Sequence, residues 1–178
     1  MTYSESGAKG GENTPAREAN LLGVIEEGKL RIAELAEEAR AIADDHWNFH
    51  YRENALLLPK QKGRLVVFIR ERKGGLEISW AWFRFIKKEG AIKSEVRNNH
   101  ITKGRDHKYR PRSLARHCKD WEVDHVLEIE SRLAEVRREY SHIRQMMTSA
   151  KLALKASAKR PRVERKNKGK LEYEEDVA

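Results

Sequence analysis

The feature that most constrains this chain is an apolar series in its C-terminal half. Val126, Ile129, Leu133, Val136, Tyr140, Ile143, Met147, Ala150 and Leu154 recur at steps of three and four. Such a repeat, kept for four heptads, puts every member on one stripe of a helix. The spacing predicts a long helix over 113–154, bent near Asp120, with Ser113 as its N-cap. A stripe of that length needs a cover. A second seam supplies one: Leu21, Ile25, Gly28, Ile32, Leu35, Ala39 and Ile42 follow the same steps, predicting a helix over 17–47. Gly28 weakens that helix by roughly 1 kcal/mol relative to Ala. Pairing the seams antiparallel within one chain avoids the entropy cost of association. A homodimer through the C-terminal helix is the rival arrangement, although Tyr140, Met147 and Ala150 do not specify a strong parallel dimer.

Between the seams the period changes to two. Leu65, Val67 and Ile69 alternate with Val66, Phe68 and Arg70. After Lys73-Gly74-Gly75, Leu76, Ile78, Trp80 and Trp82 alternate with Glu77, Ser79, Ala81 and Phe83. After Lys88-Glu89-Gly90 a third run spans Ile92, Ser94 and Val96. Short runs joined by Gly turns read as an antiparallel meander over 64–97. The fold class expected is therefore α+β: two long antiparallel helices flanking a three-stranded meander. It forms one domain over 17–154, with a basic loop at 98–112, a disordered leader at 1–16 and a charged, largely disordered tail at 155–178.

Charge narrows the function. Charged residues make up 37% of the 178, against a usual share of roughly 25%. Residues 97–119 hold eight basic groups and one acidic, and residues 151–170 hold nine and one. Clustered cations attract polyanions through counterion release, so nucleic acid is the leading partner class. A membrane surface fits less well, because neither block is interleaved with an insertable apolar face. No apolar run approaches the ~18 residues that span a bilayer, and no secretory signal is visible. The single Cys118 excludes an internal disulfide and a Cys-rich zinc module. A cytoplasmic, bacterial protein is expected.

The candidate interface is Lys103, Arg105, Lys108, Tyr109, Arg110, Arg112 and Arg116, on a loop and a helix start. Its cations would bind phosphates, helped by backbone donors at the helix N-terminus, and Tyr109 would stack on a base or pack on a sugar. A solvated basic loop with no partner is the plainer reading, but only Asp106 balances the cations. Secondary DNA contacts are expected at Trp82, Arg84, Lys159, Arg160 and Arg162. Trp80 and Phe83 suit core packing better than base stacking, since a small sheet needs bulky residues. Trp121 is expected to be largely buried, pinning the loop.

His46 and His50, with His125 and Glu128 across the hairpin, form an incomplete metal set that packing explains better. Cys118 beside His117 has no orienting partner, and neighbouring helical side chains diverge by about 100°. There is no phosphate-binding loop or dinucleotide fingerprint. No enzyme, metal or cofactor is expected.

One family carries these marks together. Ile78-Ser79-Trp80 with Phe83 and Phe85, Ile101-Thr102-Lys103-Gly104-Arg105 followed by Tyr109, Leu114, and Lys119-Asp120-Trp121-Glu122 leading into Leu127-Glu128 resemble the MobI family of conjugative transfer proteins over about 65–154. The sequence departs from that pattern at Asp106-His107, where a Gly and an aromatic are expected. The resemblance implies an auxiliary DNA-binding protein at the origin of transfer, helping a separate relaxase assemble and nick one strand. Two other readings stand beside it: a single-stranded nucleic-acid or RNA-binding module, and a coiled-coil adaptor without catalysis.

Overall fold

A computed structural model describes residues 14–72, 74–86 and 95–158. Helix α1 (Thr14–Ala55) is followed by strands β1 (Leu65–Arg72), β2 (Gly75–Ile86) and β3 (Glu95–His100). A short helix α2 (Pro111–Ala115), a 3-10 turn at Asp120–Glu122 and the long helix α3 (Val123–Ala158) complete the chain.

The two seams meet, and they run antiparallel. Ile25 near the start of α1 packs with Met147 and Ala150 near the end of α3. Further along, Arg31 pairs with Glu139, Asp45 with Arg132, and His50 with Glu122. In the middle Leu35, Ala39 and Ile42 join Val126, Ile129, Leu133 and Val136 in one core. Gly28 sits where Met147 crosses: a Cβ there would lie 2.7 Å from the Met147 Cγ. The glycine that weakens the helix is therefore also a close-packing point. Helix α1 runs past the expected Trp47 to Ala55 because the seam continues in imidazoles, with His46 and His50 fully or nearly buried. Their polarity hid the continuation.

The sheet has the order β1-β2-β3, antiparallel throughout. Gly74, at φ +70°, closes the β1–β2 hairpin. Leu65, Val67 and Ile69 on β1, with Leu76, Ile78, Trp80 and Trp82 on β2, lie against the helix pair. The sheet thus rests across both helices on one side. The sequence suited Phe83 to the core beside Trp80, but in the structure it does not share that core. The two differ by an odd number of residues, so strand alternation turns Phe83 to the other face, where it is half-buried.

Among the described residues strand β3 spans Glu95–His100, running past the expected end of the third period-two run at Arg97, and pairs with Ala81–Ile86. The turn at Lys88–Gly90 and the first residues of that run lie outside the described residues. Among the described residues no strand lies on the far side of the inner half of β2, and side chains cover that edge. The Leu76 N–H donates to the Tyr140 hydroxyl (3.1 Å), and the Trp80 N–H to the Tyr109 hydroxyl (3.3 Å). Arg137 Nε donates to the Ile78 carbonyl (3.3 Å), and the Ile101 N–H to the Trp80 carbonyl (2.9 Å). These bonds satisfy backbone groups that burial would otherwise leave costly.

The long helix starts at Val123 rather than near Leu114. Pro111 opens α2, a position where its missing N–H costs nothing. Arg110 is the N-cap, with no side-chain bond, so Ser113 is not a cap. The expected bend at Asp120 is a full break, held by a 2.7 Å bond from the Lys119 N–H to Glu122. Trp121 is half-buried rather than largely buried; its indole donates to the Gln61 carbonyl (3.1 Å) and its ring lies 5.9 Å from Phe49. Among the described residues, no helix is long and apolar enough to cross a membrane.

Candidate nucleic-acid interface

The basic segment runs from Ile101, which anchors it in the core, through an irregular loop into α2. Arg105, Lys108, Arg110, Arg112 and Arg116 are all exposed. None of the five has a side-chain hydrogen bond or ion pair among the described residues. On the helices and on β3, by contrast, Arg31, Arg40, Arg97, Arg132 and Arg138 pair with carboxylates. Lys103 is half-buried and bends back, donating to the Asp106 carbonyl (2.5 Å), so its ammonium shapes the loop.

A buried ion pair on α3 holds this segment from beneath. Glu130 and Arg137, seven residues apart and so on one helical face, are linked by bonds of 3.0 and 2.8 Å. The same carboxylate accepts from the Tyr109 N–H and from the Trp80 indole, both at 2.7 Å. Arg137 in turn donates to the His107 carbonyl (2.6 Å). Two backbone groups of the basic loop and the central tryptophan of the sheet thus converge on one carboxylate-guanidinium pair. Glu130 and Arg137 carry no motif, and sequence reasoning missed them. The available signal was two opposite charges one heptad apart beside seam positions.

Tyr109 corrects an expectation. It is 4% exposed, with the Arg137 guanidinium 5.1 Å from its ring centre. Burial pushes its phenol above the ordinary value. Its ring is core, so it neither stacks on a base nor packs on a sugar. The helix start also offers less than expected. Pro111 has no N–H, and the Ser113 and Leu114 N–H groups already donate to the Arg110 carbonyl (2.8 and 3.3 Å).

Of the secondary contacts, Arg84 is exposed on β2. Trp82 is half-buried against the core and stacks on His117 at 5.2 Å, joining the sheet to the end of α2. Lys159, Arg160 and Arg162 lie outside the described residues. Burial, with Arg116 second, lowers the pKa of His117. Burial pushes the Cys118 thiol up to about 12, so it stays protonated at neutral pH and is a poor nucleophile.

The histidines do assemble. His46 lies 5.4 Å from His50 and 5.6 Å from His125, ring centre to ring centre. His50 Nε2 faces Glu122 at 3.3 Å. Among the described residues no three such groups are placed to hold a metal ion. His46 donates through Nε2 to the Leu65 carbonyl (3.1 Å), and burial holds its pKa down at about 4.

The family model described as MobI protein matches residues 35–151. No curated protein and no solved structure matches the chain.

Proposed function

Because the chain belongs to the MobI family, a family of conjugative transfer, we propose that it is an accessory DNA-binding protein. It acts at the origin of transfer and helps a relaxase assemble and nick one strand. The observation that carries this reading is the row of five exposed cations without a partner among the described residues, Arg105, Lys108, Arg110, Arg112 and Arg116, on a loop braced by the Glu130–Arg137 pair. A braced loop presents its charges without first losing much conformational entropy, which favours contact with a duplex backbone. The loop reads no sequence by itself, since phosphate contacts position a protein and base contacts specify. The helix pair would offer the surface for the relaxase. No residue of this reading performs chemistry on the DNA; the nick belongs to the relaxase.

Reversing charge at Arg105, Arg110 and Arg112 together tests it. The three side chains are exposed, so the fold should hold. Binding to duplex DNA from a transfer origin should be lost near physiological salt. At low salt the slope of log affinity against log salt should flatten by about three, roughly one per contact. A triple variant with wild-type affinity and slope removes this loop as the interface.

A further inference from the structure

A second surface lies away from the basic loop. A cleft of about 500 Å3 opens between the end of α1 and the outer end of β2. Trp47, Tyr51, Phe83 and Phe85 line it, with Lys62 and Arg64 beside them and no carboxylate in the lining. Trp47 and Tyr51 stack on each other at 5.4 Å and 26°, and Phe83 lies 6.4 Å from Trp47. Arg64 sits 5.2 Å over the Phe85 ring. Tyr51 is 67% and Phe85 53% exposed, so both rings offer large apolar faces to solvent beside the two cations.

We propose that this cleft takes an unpaired nucleobase of single-stranded DNA. The base would lie on the aromatic walls, and the flanking phosphates would sit by Lys62 and Arg64. Every base has a π-face, so stacking on such rings is tolerant of sequence. The polar groups of the cleft point to the same tolerance. The Asn54 amide already bonds the Gly63 N–H (2.8 Å) and carbonyl (3.3 Å), and His50 faces Glu122. Neither is free to read a base edge. Two cations and no acid match a phosphodiester chain leaving the cleft. The proposal goes beyond the duplex reading and uses none of its residues.

The full chain is titrated with an oligothymidylate of about ten nucleotides, a length within the span of such sites. Anisotropy and tryptophan fluorescence follow binding, and an iodouracil-substituted oligomer maps the contact by photocrosslinking. Tyr51→Ala and Phe85→Ala, both exposed and tolerable to the fold, should each weaken the oligomer by roughly five- to hundredfold. Both should bind duplex like wild type, and crosslinks should fall on the cleft aromatics. The triple variant at Arg105, Arg110 and Arg112 should keep oligomer binding. The proposal is overturned if the two aromatic variants bind the oligomer like wild type, or if crosslinks map to 103–116. It is also overturned if wild-type protein ignores the oligomer. The duplex reading stands or falls separately, on the triple variant's duplex affinity.

Discussion

Glu130→Gln is the most informative single change in this protein. Both carboxylate oxygens accept two bonds each: Oε1 from the Tyr109 N–H and Arg137, Oε2 from the Trp80 indole and Arg137. An amide keeps the size but turns one acceptor into a donor facing two donors. It also leaves Arg137, 7% exposed, as a buried cation without its counter-charge. Removing one partner of a buried pair costs about 3–5 kcal/mol. For a chain of 178 residues that corresponds to a melting temperature lower by roughly 6–20 °C. The assay is urea unfolding by circular dichroism, with thermal melts alongside. The double variant Glu130→Gln with Arg137→Met removes the buried charge as well, so it should cost less than the two single losses added together. Duplex affinity should fall in the single variant at a temperature where it stays folded, because the pair braces His107 and Tyr109. A Glu130→Gln protein destabilised by less than about 1 kcal/mol would refute the idea that this pair holds the loop, since that is the scale of one ordinary hydrogen bond.

Stability should also depend on His46. Its folded pKa, about 4, lies below its unfolded value of about 6.5, so the unfolded chain binds the proton first as pH falls. Between pH 6.5 and 4 the fold should lose on the order of 3 kcal/mol through this group, and His46→Gln should remove most of that dependence in urea midpoints taken across the range; an unchanged slope would contradict it. His117 and His125, also lowered by burial, push in the same direction. Gly63→Ala should destabilise by roughly 1–3 kcal/mol, because its Cβ would press on His50 and on Glu122 where they face each other; a variant as stable as wild type under urea would show that the pair yields easily. Gly28→Ala should gain about 1 kcal/mol of helix stability only when Met147→Ala clears the space, so a gain of that size in the wild-type background would show that Met147 moves aside freely.

Periodicity made both helices and the antiparallel meander legible, because apolar spacing records which face must be buried; the pairing of the helices within one chain followed from the cost of association instead. The basic loop was legible too, since charge density needs no fold to be seen. Element ends were less readable. Helix α1 extends through His46 and His50 because buried imidazoles continue a seam that hydrophobicity alone loses. Strand β3 includes Asn98, Asn99 and His100, poor strand formers that pair because β2 offers them an edge. Only the tertiary structure decided which loop residues face outward. Tyr109 and the five exposed cations occupy one short segment, yet a bond to Glu130 twenty-one residues away turns Tyr109 into the core and leaves the cations in solvent. The aromatic cleft has the same origin. Trp47, Arg64 and Phe85 are far apart in sequence and meet only because α1, β1 and β2 pack as they do. Local pattern sets which segments are helix, strand or loop; contacts between distant residues set which side chains are left for a partner.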